Sequence, residues 1–363
     1  MSGFRFSPVF AMDDLGLGYL KRLLETPSPS GYEQAIQAVV RDYLRDAAAL
    51  RTDTHGNVFA THPADGNPPR IMLAGHCDQI GLMVQHVDGD GFLYVQPIGG
   101  WDVQILLGQY LTVWAASGPI HGVIARKAIH LLKDDERKKV PDFTDIWLDI
   151  GCKTKEEADQ LVRSGDPVTF KLGYTPLRNG LAASPAMDDK VGVWVVTEAV
   201  RLLKDRPTHA EVTAVSTVAE EIGLRGATTA AYALDPHVGI AVDVCHASDT
   251  PSGDKKLLGE VKCGGGPVLF RGPNINPKVF DLLEATAKAH EIPVQVRGAP
   301  RATGTDANVM QVSRAGVAVG LIGIPNRYMH SPVEVIHLDD LTNAARLLAE
   351  FCAAVTPDHD WTP

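Results

Sequence analysis

EVTAVSTVAEEIGLRG, residues 211–226, is an apolar run that leads directly into two adjacent glutamates. The run predicts a buried strand of the kind found inside parallel sheets. Glu220 and Glu221 follow at the point where that strand should turn. Because neighbouring side chains in an extended chain point to opposite sides, we expect the two carboxylates to have different roles. A solvated turn is the alternative for an isolated pair of this kind.

Strands and helices alternate along most of the remaining chain. A strand over residues 70–78 ends in His76 and Asp78, and a helix is predicted from Asp189 to about residue 204. Further strands and helices are predicted for VGIAVDV, PKVFDLLEATAKAH, VAVGLIGIP and LDDLTNAARLLAEFCAAV, in that order. Such alternation predicts an α/β fold in which helices flank a mainly parallel sheet.

Two helices are predicted before the first of these strands, on either side of a turn rich in Pro, Ser and Gly. Ser30 and Glu33 match the S-x-x-E capping box, so the second helix is expected to begin there. Apolar residues from Ile36 to Leu44 then recur at helical spacing, which supports the same boundary.

The alternation is interrupted in the first half of the chain. From about residue 80 to 177 the sequence changes to short β-type runs separated by glycine, such as GFLYVQPIGG and TDIWLDIG. We therefore expect two units, which also suits a chain of 363 residues. Residues 1–79 and 178–363 would form the α/β domain, and residues 80–177 a small inserted β domain.

Composition excludes several classes of protein. Hydrophobic residues make up 45% and charged residues 21%, and no apolar run approaches the roughly 18 residues of a membrane span. Residues 1–16 lack the hydrophobic region and cleavage site of a secretory signal. The net charge of −10, without a basic cluster, argues against nucleic-acid binding. Five scattered cysteines without a C-x-x-C pair favour a reduced, cytoplasmic setting.

Side chains suited to metal binding recur where the predicted strands end. Ligand sites of open α/β sheets lie at the carboxyl ends of strands, so these residues are the first functional candidates. They are His76, Asp78, Glu220, Glu221, Asp243 and His330, together with the pair Asp188 and Asp189 at a helix start. Histidines and carboxylates without cysteine suit zinc or a similar divalent ion with open coordination positions. Taken singly, each residue could instead be a helix cap, a turn residue or a structural histidine, and GTDAN at 304–308 is ambiguous.

Six motifs, in order along nearly the whole chain, resemble those of the cytoplasmic tetrahedral (TET) aminopeptidases. They are AGHCDQIGLMV, AMDDKVG, AEEIGLRGA, AVDVCHASDTPSG, GTDAN and RYMHSPVE. The family consists of dinuclear metallopeptidases of clan MH, also called glutamyl aminopeptidases and sometimes labelled endoglucanases. The resemblance implies a phosphorylase/hydrolase-like fold of the zinc-peptidase type and a metal-dependent aminopeptidase that acts on short peptides.

The resemblance also implies roles for individual residues. Two divalent ions, zinc or cobalt with manganese as a further candidate, would be held by five ligands. One ion would bind His76, Asp243 and the bridging Asp188, and the other would bind Asp188, Glu221 and His330. Asp78 would hydrogen-bond the far nitrogen of His76. Glu220 would be the general base for a water between the metals, so the two adjacent glutamates would divide the work.

Departures from the family pattern lie close to these residues. Relatives usually read A-H-M-D-E where this chain has GHCDQ, and they usually have Arg where this chain has Lys190. Strand alternation places Cys77 and Gln79 opposite His76, away from the metals. We expect the chemistry to be retained, and packing or subunit contacts to differ at Gln79 and Lys190.

The resemblance further implies that the insert is a small β-barrel used for dimerisation, and that dimers assemble into a hollow tetrahedral homododecamer. Short, unfolded peptides would be the partners of such a chamber. Two other functions stay open from the residues alone. One is a zinc-dependent deacylase or amidohydrolase with the same type of site, and the other is a non-catalytic assembly protein braced by metals. Glycoside hydrolysis is poorly supported, because it requires metal-free carboxylates on either side of the bond.

Overall fold

The computed structural model describes residues 12–363. Most of the N-terminal segment on which the absence of an export signal was predicted lies outside the described residues. Among the described residues, no helix combines the length and the apolar character needed to cross a bilayer.

Nine α-helices and seventeen strands are formed within residues 12–363. The helices are α1 (Asp14–Glu25), α2 (Gln34–Leu44), α3 (Lys155–Asp159), α4 (Met187–Leu203), α5 (Arg225–Leu234), α6 (Lys255–Leu258), α7 (Pro277–Ala289), α8 (Ala307–Gln311) and α9 (Leu338–Ala354). The strands are β1 (Ala49–Thr52), β2 (Val58–His62), β3 (Arg70–His76), β4 (Gly81–Val87), β5 (Leu93–Ile98), β6 (Tyr110–Ala115), β7 (Gly118–Arg126), β8 (Ile146–Asp149), β9 (Pro167–Phe170), β10 (Thr175–Pro176), β11 (Leu181–Ser184), β12 (Glu211–Thr217), β13 (Val238–His246), β14 (Val268–Arg271), β15 (Gln295–Gly298), β16 (Ala318–Asn326) and β17 (Glu334–His337).

An eight-stranded sheet forms the centre of the larger unit, in the order β1-β2-β12-β3-β13-β16-β14-β15. Its four central strands, β12, β3, β13 and β16, run parallel. Antiparallel pairs join β1 to β2, β2 to β12 and β14 to β16. Three short strands, β10, β11 and β17, form a separate small sheet. The predicted α/β fold with a large sheet flanked by helices is therefore confirmed.

Helix α4 is the most deeply buried helix and packs against β3, β12, β13 and α9. The closest approach is at Gly75, where an added Cβ would lie 2.5 Å from the backbone carbon of Gly192. This contact explains why glycine precedes His76 in this chain, since the helix backbone occupies the space that a side chain would need.

The start of α2 differs from the sequence prediction. The helix begins at Gln34, and Glu33 is its N-cap residue without a side-chain capping bond. The Ser30 hydroxyl instead donates to the Asp78 carboxylate at 2.6 Å. Glu33 accepts the backbone N–H groups of Gly31 and Ala219 at 2.8 and 3.1 Å. The capping-box prediction was therefore wrong, because both side chains bind groups outside the helix.

The insert forms a closed antiparallel barrel of six strands, in the order β4-β5-β8-β7-β6-β9. Its interior is a second hydrophobic core, separate from that of the large sheet, which includes Leu82, Val95, Leu111 and Leu148. The described residues thus contain two separate hydrophobic cores, and the predicted division at residues 80–177 stays a prediction. The barrel strands begin at Gly81, directly after the segment that carries His76 and Asp78. They end at Phe170, before the segment that carries Asp188.

Candidate metal centre

The parallel register brings the strand ends together at one edge of the sheet. Thr217 at the end of β12 pairs with His76 at the end of β3. The chain then passes from Thr217 to Glu220 and Glu221, so both glutamates reach the same edge as the histidine. One cavity of about 480 Å³ is lined by six of the predicted residues: His76, Asp188, Glu220, Glu221, Asp243 and His330.

Asp188 lies between the two histidines. Its Oδ1 is 3.2 Å from His76 Nε2, and its Oδ2 is 3.2 Å from His330 Nε2. Glu221 Oε1 is 3.5 Å from the same His330 nitrogen, while Asp243 Oδ1 is 4.0 Å from His76 Nε2. The five side chains therefore form two clusters that share Asp188.

Asp189 also offers an oxygen close to His76 and Asp243. However, Asp189 Oδ2 accepts the backbone N–H of His76 at 3.2 Å, and its Oδ1 accepts that of Gly192 at 3.1 Å. Both oxygens are thus engaged by backbone N–H groups, and the bond to His76 joins α4 to β3. Asp188 has no such backbone contact through its carboxylate among the described residues, which leaves it directed at the histidines.

Glu220 and Glu221 diverge, as expected for adjacent residues. Glu221 lies beside His330, and its Oε1 is buried without a hydrogen-bond partner in the described chain. Glu220 Oε2 lies 3.9 Å from His76 Nε2 and is likewise buried. The two carboxylates therefore serve different clusters.

Asp78 is fully buried and lies beneath the glutamate pair. Its carboxylate accepts the backbone N–H of Glu220 at 3.0 Å and that of Glu221 at 3.2 Å. The far nitrogen of His76, Nδ1, is 3.0 Å from the backbone carbonyl of Asp78 and 3.6 Å from its carboxylate. The nearer partner of the imidazole is therefore the main chain of Asp78, and the carboxylate mainly holds the turn that carries both glutamates.

Glu334 is a site residue that sequence reasoning missed. Its Oε2 accepts the backbone N–H of Asp188 at 2.9 Å, and its Oε1 accepts that of His330 at 2.8 Å. The residue is only 1% exposed, and these two hydrogen bonds offset the cost of removing its carboxylate from water. A glutamate four residues after the candidate histidine, in HSPVE, was the available signal.

Asp306, the aspartate of the GTDAN motif, is hydrogen-bonded to the last residue of β12. Its Oδ2 accepts the hydroxyl of Thr217 at 2.7 Å, while its Oδ1 is buried without a partner in the described chain. Burial raises the pKa of Asp306 to about 6. The residue lies behind the cluster, where its charge also raises the pKa values of Glu220 and Asp243.

The barrel also contributes to this site. The backbone carbonyl of Gly100, in the loop after β5, is 2.9 Å from His330 Nδ1. Hydrogen bonding to the second nitrogen of a metal-ligating histidine fixes the tautomer and the orientation of the ring. The orientation of His330 therefore depends on the inserted unit.

Gln79 and Lys190, which differ from the residues usual in the family, contact each other. The fully buried Lys190 ammonium donates to Gln79 Oε1 and to the backbone carbonyl of Thr26, each at 2.7 Å. Burial lowers the pKa of Lys190 to about 7. Cys77 is packed in the core of the large sheet, as strand alternation predicted.

The pKa values of most of the clustered carboxylates and of both histidines are raised, which indicates too little compensating positive charge around them. Burial raises the pKa of Glu220 to about 10, and burial likewise raises that of Asp243. The pKa of His330 is raised to about 11, first by its contact with Asp188 and then by Glu221. Burial opposes protonation of His76, but Glu220 and Asp188 raise its pKa well above the usual value. Protons bound to these groups thus supply the positive charge that divalent cations would otherwise supply.

The donor set and its spacing fit divalent metal ions. Ligands bound to zinc at about 2.0–2.2 Å in tetrahedral geometry lie about 3.3–3.6 Å apart. Three of the nitrogen–oxygen distances given above, 3.2, 3.2 and 3.5 Å, lie within or 0.1 Å below that range. The unpartnered Glu221 Oε1 is a further acceptor available to a cation.

Comparison with known proteins decides the family. The sequence profile of the M42 glutamyl aminopeptidases matches residues 56–347. The chain belongs to the M42 family. This M42 chain is 41% identical to the lysyl aminopeptidase of Pyrococcus furiosus over 349 residues, which are 95% of this chain and 98% of that protein.

Two solved structures extend the comparison of this M42 protein to its fold. The TET aminopeptidase of a marine sediment archaeon, Thaumarchaeota archaeon SCGC AB-539-E09, superposes with a TM-score of 0.91 at 35% identity, covering 95% of this chain and 98% of that one. The TET1 peptidase of Pyrococcus horikoshii, which can assemble into a tetrahedron or a large octahedral shell, gives 0.83 at 28% identity, covering 94% and 100%. The predicted TET resemblance is confirmed, and with it a hydrolase of an aminopeptidase family whose members depend on metal.

Proposed function

We propose that this M42 protein removes N-terminal residues from short peptides, with Glu220 as the general base. One observation carries the proposal. The buried Glu220 carboxylate lies 3.9 Å from His76 Nε2, in the same cavity as two clusters of metal-ligating side chains. A purely structural zinc site is closed by four protein ligands and needs no adjacent base, so this arrangement favours catalysis.

Two divalent ions would be held by the clusters that share Asp188. His76 and Asp243 would complete one site, and Glu221 and His330 the other. When bound, the ions would polarise the scissile carbonyl and acidify the attacking water. Zinc or cobalt suits histidine and carboxylate ligands, and manganese is a further candidate.

Glu220 would take a proton from the attacking water and later deliver it to the leaving amine. Asp78 supports this role, since its carboxylate holds the backbone N–H of Glu220 and thereby limits how far the base can move. Asp189 accepts the backbone N–H of His76, and Glu334 accepts those of Asp188 and His330. Such outer contacts orient ligands and typically contribute about 10- to 100-fold to metal affinity or activity.

We further propose that residues 80–177 form a dimerisation domain and that dimers build a tetrahedral homododecamer in the cytoplasm. Three large apolar side chains on the barrel are 61–68% exposed, namely Tyr110, Ile129 and Leu131. Large exposed apolar side chains of this kind are available for subunit contacts. All five cysteines are free thiols, in keeping with a reducing compartment.

The decisive experiment strips the metals and restores zinc, cobalt or manganese one at a time. Each form is assayed on aminoacyl anilides and on N-acetylated versions of the same compounds. Metal-dependent cleavage of only the free-amine compounds is expected. Cleavage of only the acetylated compounds would instead identify a deacylase, and a metal-loaded protein without any turnover would favour a non-catalytic assembly role.

A further inference from the structure

Two arginines line the cavity beside the negatively charged carboxylates of the metal clusters. Arg297 on β15 and Arg301 in the following loop both line it. The metal-ligating carboxylates lie on other elements that border the same space. A peptide bound at the clusters would therefore have two guanidinium groups within the same enclosure.

Neither arginine has an acidic partner in the part of the chain that the structure describes. The guanidinium carbon of Arg297 lies 5.6 Å from the ring centroid of Phe270, which is a cation–π contact and not an ion pair. By contrast, Arg327 forms an ion pair with Asp249 at 2.6 Å, and Arg206 with Glu350 at 2.8 Å. The charge of Arg297 is thus positioned by packing and left available to a ligand.

The floor below Arg297 is apolar and tightly packed. Phe270 and Cys245 both approach Gly323, where an added Cβ would lie within 2.7 and 2.8 Å of their side chains. The Arg297 charge reaches this region, since burial and then Arg297 lower the pKa of His246. An aliphatic stem capped by an anionic group would match such a recess, with its stem on the apolar floor and its charge at the guanidinium.

We propose that Arg297, assisted by Arg301 at the rim, binds a carboxylate of the peptide substrate and makes the enzyme selective for substrates that carry one. The inference rests on the proposed aminopeptidase function. The carboxylate can come from an acidic N-terminal side chain or from the C-terminus of a dipeptide. Guanidinium groups recognise carboxylates through paired, charge-assisted hydrogen bonds, and they repel a cationic side chain.

The first experiment compares glutamyl, glutaminyl, lysyl and leucyl anilides, which differ in the N-terminal side chain and have no C-terminal carboxylate. The wild-type ratio of kcat/KM for glutamyl over glutaminyl anilide is expected to exceed one. It should fall by about 10- to 100-fold in Arg297→Gln, the range for a lost charge-assisted hydrogen bond, and by less in Arg301→Gln. Arg163→Gln, an exposed barrel arginine outside the cavity, is the matched control and should leave the ratio unchanged.

A second experiment tests the other source of the carboxylate. Leu-Ala is compared with Leu-Ala amide in the wild type and in Arg297→Gln. A preference for the free acid that disappears in Arg297→Gln supports recognition of the C-terminus, whereas selectivity confined to the anilides supports recognition of the side chain.

Equal turnover of glutamyl and glutaminyl anilides together with equal turnover of Leu-Ala and Leu-Ala amide would overturn the inference. An equal loss on substrates with and without the carboxylate in Arg297→Gln would overturn it as well. Turnover of leucyl anilide by the wild type would show that the aminopeptidase function nevertheless holds. If the metal-loaded wild type cleaved none of these compounds, the proposed function would fail and the inference with it.

Discussion

The Asp78 carboxylate accepts the backbone N–H of Glu220 at 3.0 Å, although the two residues lie 142 positions apart. The bond ties the segment directly after β3 to the turn after β12, so the proposed base is held two residues beyond His76, the last residue of β3. The position of the base is thus fixed through its main chain, which leaves its side chain free to exchange a proton.

Replacing Asp78 tests this link. In Asp78→Asn, one acceptor oxygen becomes an NH2 group that cannot accept from the N–H groups above it. We expect the free energy of unfolding to fall by about 1–3 kcal/mol, the range for a buried donor left without a partner, and kcat to fall about 10- to 100-fold. Ser30→Ala removes only the hydroxyl donor to Asp78 and should change kcat far less. Urea unfolding and steady-state kinetics provide both readouts, and equal kinetic losses in the two variants would contradict the link.

Glu220→Gln should abolish most turnover without disturbing the metals. General-base catalysis typically contributes about 10²- to 10⁴-fold, and the amide cannot accept the proton of the attacking water. The neighbouring Glu221→Gln is the matched control, since it removes a candidate ligand and should reduce metal content. Metal analysis and kinetics on both proteins separate the two roles. Loss of metal or of folding in Glu220→Gln would favour a structural site.

Glu334→Gln should weaken the cluster that contains His330. The amide retains one acceptor for the two backbone N–H groups of Asp188 and His330, so at least one of them loses its charged partner. Metal affinity is expected to fall about 10- to 100-fold. Glu350→Gln alters contacts with Arg206 and His290 outside the cavity and serves as the control. Competition with a chelator measures the affinity, and identical affinities in the two variants would exclude a positioning role for Glu334.

Metal uptake by the apoprotein should release protons. His330 has a pKa of about 11 without metal, and that of His76 is also raised, so both imidazoles are protonated near pH 7. A cation must displace those protons, and apparent affinity should therefore rise as pH rises from 6 to 8. Titration calorimetry in two buffers of different ionisation enthalpy counts the protons. A heat that is independent of buffer would show that the histidines are already neutral.

The Gln79 and Lys190 pair predicts unequal effects of two substitutions. Gln79→Leu removes an acceptor from a fully buried ammonium and should lower the free energy of unfolding by about 1–3 kcal/mol. Gln79→Glu keeps an acceptor and adds an opposite charge, so it should be tolerated better. Denaturation by urea compares the two, and greater damage from the glutamate would contradict this pairing.

Sequence reasoning was most successful where residues near in sequence determine the structure. The apolar runs at β3, β12, β13 and β16 were long enough to predict the parallel centre of the sheet. The outer strands β1, β2, β14 and β15 were not predicted, since they have only four or five residues each and three of them are partly exposed. Their pairing depends on neighbours that are distant in sequence.

The site shows the same division. His76, Asp188 and Glu220 could be selected because each follows a strand or precedes a helix in a motif. Glu334 and Ser30 could not be assigned, because their roles consist of hydrogen bonds to partners up to 146 residues away. A local pattern such as the capping box at Ser30 can be satisfied in sequence while the side chain serves another purpose.

The carbonyl of Gly100 beside His330 makes the two units mutually dependent. The barrel cannot be exchanged for the barrel of a relative as an independent part unless the loop after β5 is transferred with the same geometry. A chimera with a foreign barrel could fold and assemble well and still hold one imidazole in the wrong orientation. For protein engineers, the boundary between the units therefore runs through the candidate metal centre.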